Sequence, residues 1–137
     1  MQFEILEHPA DIGFRAYGDS IEELFANCAQ ALVSIIFDPS HVASKQRWSL
    51  QAEGADRESL LVNWLNEVLY YVDTRRAAFG SFAVSFPAPL QLECSATGET
   101  RDPLKHTVRL AVKAVTYHQL KILGEQERWV AEVYVDV

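Results

Sequence analysis

Two stretches of this chain place apolar residues every three or four positions, while the sequence around them alternates instead. That change of period constrains the fold more than any other feature. A repeat near 3.6 buries one side of a helix, and a repeat of two buries one face of a sheet. Within residues 18–38 the stripe is Ile21, Leu24, Phe25, Cys28, Leu32, Ile35 and Ile36. Ser20 followed by Glu23 forms a capping box at its start, and Pro39 helps to end it. Within residues 56–76 the stripe is Leu60, Leu61, Trp64, Leu65, Val68, Leu69 and Val72. Asp56 at the front and Arg75 and Arg76 at the back suit the helix dipole.

The flanking segments read as strands. In QFEILEH, Phe3 and Ile5 share one face. After a break at Pro9, Ile12, Phe14 and Ala16 point one way, while Asp11, Gly13, Arg15 and Tyr17 point the other. QRWSLQAEG, FGSFAVSF, LQLECSATGE, HTVRLAVKAVTYHQLKIL and RWVAEVYVDV complete the set, with Gly98 and residues 101–103 read as turn chemistry. This order predicts an α+β fold: a mixed or antiparallel sheet with two long helices packed on one face, in two layers. A single domain over residues 1–137 is expected, because no repeat or low-complexity tract divides the chain and residues 37–45 are too few to act as a linker.

Composition narrows the function. With 12 basic against 19 acidic residues the net charge is −7, so the chain as a whole repels nucleic acid and would serve it only through a protein that holds it. No apolar run approaches the ~20 residues that span a bilayer, and the opening MQFEILEH does not read as a secretory leader. Cys28 and Cys94 lie far apart in apolar stretches with no CxxC pair, which predicts buried free thiols and a cytoplasmic, reducing setting.

Catalytic signatures are lacking. There is no phosphate loop, nucleophile elbow or HExxH, and the four histidines, His8, His41, His106 and His118, show no i, i+4 spacing. Alternation sets His118 beside Val112, Ala114 and Leu120, as a core or edge residue. His106, after Lys105 in a turn-like segment, is a candidate site residue. In RWVAEVYVDV, residues Ala131, Val133 and Val135 point inward while Glu132, Tyr134 and Asp136 point outward. Asp136 and a Val137 carboxylate would put two oxygen donors on adjacent residues. That arrangement suits a hard cation such as Ca²⁺ or Mg²⁺, and equally a solvated end.

EHPADIGFRAYG, LLVNWLNEVLYYVD, GETRDPLKH, VKAVTYHQLKI and the closing VYVDV, taken in order over nearly the whole chain, resemble the archease family. The resemblance implies a small α+β accessory protein, not an enzyme. Such a protein activates an RtcB-type RNA ligase, promoting its guanylylation and repeated turnover in tRNA splicing and RNA repair. It further implies a cation site, usually assigned to calcium, whose ligands fall here on Asp11, Asp136 and Val137. Magnesium or another divalent cation is the alternative occupant. Two departures stand out: Pro9 replaces the usual Thr before the aspartate, and Ala111 stands where a Glu is common. Lys105, His106 and His8 are candidates for contact with the partner. The expected protein is a monomer that meets RNA only through the ligase and has no membrane role. Two other readings are a metal-dependent hydrolase built on Asp11 and Asp136, with His8 or His106, and a chaperone-like interaction module.

Overall fold

The computed structural model describes residues 2–7 and 11–137. The chain runs β1 (Phe3–Glu7), β2 (Ile12–Gly18), α1 (Ile21–Ile36), a 3-10 turn (Pro39–His41), β3 (Gln46–Glu53), α2 (Arg57–Asp73), β4 (Ala77–Ala88), β5 (Gln91–Thr100), β6 (Ala114–Val115), β7 (Lys121–Glu125) and β8 (Arg128–Asp136). The α+β class and both helices follow the periodicity. Every described strand pair is antiparallel, and the strands divide into two sheets rather than one. The first runs β1-β2-β8, with β6 and β7 both on the far edge of β8; the second runs β3-β5-β4.

The helix ends obey local chemistry. The Ser20 hydroxyl accepts from the Glu23 amide at 3.1 Å, while the Glu23 carboxylate takes the Asp19 amide at 3.2 Å. Asp56 and Ser59 make the reciprocal box that starts α2. Each cap contributes about 1 kcal/mol. The second helix ends at Asp73, so Arg75 and Arg76 fall beyond it.

In α1 two neighbouring rows are buried, Leu24, Cys28, Ala31, Ile35 and Phe25, Ala29, Leu32, Ile36. An apolar face that wide meets more than one partner, and α1 packs against β2 and β8 of the first sheet and β4 of the second. The second helix likewise touches β3, β4 and β5 on one side and β6 on the other. Both helices therefore pack against both sheets, and one hydrophobic cluster includes residues from all of them. Trp64 Nε1 donates to the Phe25 carbonyl at 3.0 Å, joining the two helices inside that core. The Asn66 side chain both donates to the Val115 carbonyl and accepts from its amide, at 3.2 and 3.0 Å, fastening β6 to α2.

Two expectations are corrected. The long run at residues 106–123 is not one strand. Only Ala114–Val115 and Lys121–Glu125 pair, and the rest crosses between sheets on isolated bonds such as Arg109 N to Ile36 O and Lys113 N to Asp136 O. Strands rarely exceed about ten residues, and the alternation there reflects intermittent burial. Gly98 is no turn residue. It pairs inside β5, where a Cβ would collide with the Ala78 carbonyl, so glycine serves close strand approach.

Candidate functional site

The site grows from the pairing of β2 with β8. Their register runs from Gly18 opposite Trp129 to Ile12 opposite Val135. Extended one residue beyond that ladder, the register would set Asp11 opposite Asp136, which itself pairs with Ala114 of β6 on its other edge. Phe14, Ala16, Ala131 and Val133 fill the inner face, so by alternation both acids lie on the outer face with Arg15, Glu132 and Tyr134. Facing residues on one face of an antiparallel pair hold their Cβ atoms about 4.5–5.5 Å apart.

The rest of that face is tied together by one guanidinium set between two carboxylates. Arg15 Nη1 bonds Glu4 at 2.8 Å, and its Nε and Nη2 bond Glu132 Oε2 at 3.3 and 3.1 Å. The hydroxyls of Tyr17 and Tyr134 donate to Glu4 and Glu132 at 2.9 and 3.1 Å. For the Glu132 carboxyl, burial pushes the pKa up, but the bonds from Arg15 and Tyr134 outweigh it and hold it below the usual range. Asp11 has a looser contact, with His118 Nε2 at 3.9 Å from its Oδ1.

Gly13 permits this packing. A Cβ at that position would collide with the Val133 carbonyl and the Tyr134 ring. The ring settles over the glycine, with His118 edge-on at a centroid distance of 6.2 Å. Burial pushes the Tyr134 phenol pKa up, with the Glu132 hydrogen bond and the charges of Glu132 and Asp11 acting in the same direction.

His118 is the residue that sequence reasoning misplaced. Its side chain is 58% exposed and lies by Asp11, not among core residues, because the chain leaves the sheet after Val115. The implausible length of an eighteen-residue strand was the available signal.

Lys105 and His106 belong to a different cluster. Lys105 Nζ lies 2.7 Å and His106 Nε2 3.0 Å from Glu99 Oε2, which also accepts from the Ala43 amide at 2.8 Å. That amide, with the Lys105 and His106 bonds, brings the Glu99 pKa down to about 2 against the penalty of burial. His106 is 2% exposed, so the expectation that its ring meets a partner is corrected: it is a satisfied buried histidine. Glu99 was missed because inside β5 it follows the glycine that breaks the alternation. His8 lies outside the described residues. Val137 follows Asp136 and is about half exposed.

Among the described residues no three His, Cys, Asp or Glu side chains gather into a full metal cage. The residues named for a cation, Asp11, Asp136 and Val137, would offer oxygen donors alone, which is the chemistry of a hard cation that keeps several waters. Both thiols are inert: burial pushes the Cys28 pKa far up and that of Cys94 to about 12. Among the described residues no helix is long and apolar enough to cross a membrane.

Comparison with known proteins agrees with this architecture. The chain is 39% identical over 137 residues to a protein archease of Sulfurisphaera tokodaii, covering 99% of each. It is 40% identical over 140 residues to one of Pyrococcus furiosus, again covering 99% of each. The solution structure of Methanobacterium thermoautotrophicum protein 1598 superposes with a TM-score of 0.77 at 36% identity, covering 98% of both chains. A crystal structure from Thermotoga maritima, described as an archease and possible chaperone, shares the fold with a TM-score of 0.67 at 18% identity, covering 96% of this chain and 94% of that one. The profile of the Archease protein family (MTH1598/TM1083) matches residues 3–137, so the chain belongs to the archease family.

Proposed function

We propose that this protein is a non-enzymatic activator of an RtcB-type RNA ligase, working in the cytoplasm as a monomer. It promotes guanylylation of the ligase and its repeated turnover in tRNA splicing and RNA repair. Asp11, Asp136 and Val137 hold a divalent cation, calcium in the first instance. Bound there, the cation supplies positive charge at an otherwise anionic tip. What supports this reading, beside membership of the family, is the pairing of β2 with β8, whose register, extended by one residue past Ile12 and Val135, brings Asp11 and Asp136 opposite one another. The Arg15–Glu4–Glu132 network beside them cross-links β1, β2 and β8 and so holds the face in place. An activator acts by binding one state of its target better than another, and a fixed acidic pair with its cation presents such a differential contact. RNA is reached only through the ligase, in keeping with a net charge of −7.

The test is the rate of ligase–GMP adduct formation with substoichiometric protein. The wild-type chain accelerates it in the presence of calcium, and the double variant Asp11→Ala, Asp136→Ala does not. An unchanged rate in that variant refutes the mechanism.

A further inference from the structure

We infer that β3 is a self-complementary sheet edge, through which two copies of this chain pair antiparallel about a two-fold axis at Leu50. The inference goes beyond the function proposed above and does not rest on it. The pairing is weak, so the monomer remains the species that acts at low concentration.

β3 lies at the edge of its sheet, with β5 on one side only. The Gly54 amide donates to the Leu90 carbonyl at 3.3 Å, continuing the β3–β5 register. Along an antiparallel pair, hydrogen-bonded and non-bonded positions alternate. Counted back from Gly54, the backbones of Ala52, Leu50, Trp48 and Gln46 turn to β5, and those of Arg47, Ser49, Gln51 and Glu53 turn outward. The Asn63 side chain donates to the Glu53 carbonyl at 2.8 Å, and among the described residues no other group bonds that outward row. Sheet edges are ordinarily blunted by proline, bulges or lysine. β4, at the opposite edge, has two register shifts and Pro87, whereas β3 pairs without a break over its eight residues and contains neither proline nor lysine.

The order of side chains along the edge selects a second copy as occupant. A two-fold pair centred on Leu50 sets Arg47 opposite Glu53 at both ends and Ser49 opposite Gln51. It also sets Trp48 opposite Ala52, large against small, and both are half-buried at the rim of the core. Ser49 and Gln51 both carry outward backbone groups, so they exchange hydrogen bonds across the axis. Sliding the register by two residues keeps the bonding but sets Arg47 opposite Gln51, or Glu53 opposite Ser49, and both ion pairs are lost. Arg47 and Glu53 are exposed, and among the described residues neither side chain has an ion-pair partner. The surrounding charges agree. Lys45, Arg47 and Lys105 exceed Glu99 and Asp102 at the start of β3, while Glu53, Asp56 and Glu58 exceed Arg57 at its end. Antiparallel pairing therefore lays a positive end on a negative one twice. Glu93, beside Gln51 on β5, stands three strand spacings from its copy, at least about 14 Å, and is screened. A single added strand contact falls short of the ~1,000 Å² of a stable interface, which makes the dimer transient.

The experiment is sedimentation equilibrium of the whole chain from about 10 µM to about 1 mM at low salt, where the wild type shows a monomer–dimer equilibrium with a dissociation constant on the order of 0.1 mM. Arg47→Glu and Glu53→Arg each set like charges opposite one another twice and weaken the dimer about tenfold. The double variant Arg47→Glu, Glu53→Arg exchanges the charges and recovers wild-type affinity within about threefold. An equimolar mixture of the two single variants forms a heterodimer, because each then supplies what the other lacks. Both side chains are exposed, and thermal melts check that every variant is folded. A wild-type protein that is monomeric at 1 mM overturns the inference, as does a dimer indifferent to Arg47→Glu or one that the double variant fails to restore. A monomeric wild type whose affinity for an RtcB-type ligase falls with Arg47→Glu also overturns it, since the edge then serves the ligase. Each of these failures leaves the proposed function standing.

Discussion

Replacing Asp136 by Asn should reverse its effect on stability according to whether calcium is present. Extending the β2–β8 register by one residue sets Asp136 opposite Asp11, and the Cβ separation of about 5 Å in a facing pair gives a working charge separation of about 5 Å. Asp136 is exposed and the Asp11 side chain is 36% exposed, so water screens them. At a dielectric constant near 80, two like charges about 5 Å apart repel by about 0.8 kcal/mol. The amide removes that repulsion, and in excess chelator the variant should melt about 3 °C above wild type. Calcium at about a hundred times its dissociation constant adds about 2.7 kcal/mol to whichever protein binds it. The wild-type midpoint then rises by about 9 °C while the variant stays in place, and the order inverts. Melts followed by circular dichroism at pH 8, in EDTA and in calcium, read both shifts. A variant less stable than wild type in EDTA, together with a wild-type melt indifferent to calcium, would refute the claim that these carboxylates face one another and share a cation.

Two further outcomes follow from the interior. Trp64→Phe removes the hydrogen bond between the helices and leaves a small void at a fully buried position, so urea titration should show a loss of about 2 kcal/mol; a loss under 0.5 kcal/mol would contradict the packing described. Glu99 has a folded pKa near 2, against an ordinary 4.5. The stabilisation it contributes is complete above about pH 4.5 and is lost as the pH falls towards 2, because the unfolded chain takes up the proton first. Glu99→Gln should therefore show a shallower decline in urea midpoint between pH 5 and 3 than wild type, and parallel declines would remove Glu99 from the account.

Sequence reasoning succeeded wherever a residue's surroundings are set by its near neighbours along the chain. The stripe from Leu60 to Val72 could be buried only as a helix, and it is. Alternation assigned Arg15 and Glu132 to the outward sides of their strands before any pairing was known, and there they bond one another. It failed where burial comes from afar. Val112 and Val115 are buried by other elements, although the chain around them is not a continuous strand, so an apparent two-residue repeat misled. His106 looked like a polar turn residue, yet the Glu99 carboxylate from the end of β5 draws it inside.

Taken alone, the amino-acid order determined two amphipathic helices, their N-terminal caps, the outward aspect of Arg15 and Glu132, and a resemblance carried by strings such as KAVTYH and LLVNWLNE. Tertiary structure decided that the strands form two sheets, that β2 and β8 lie side by side, that His118 stands next to Asp11, and that Lys105 and His106 anchor a separate turn. The division has one physical cause. Periodicity and capping are settled within a few residues, whereas strand pairing and the burial of polar groups depend on which distant segments the whole core brings together.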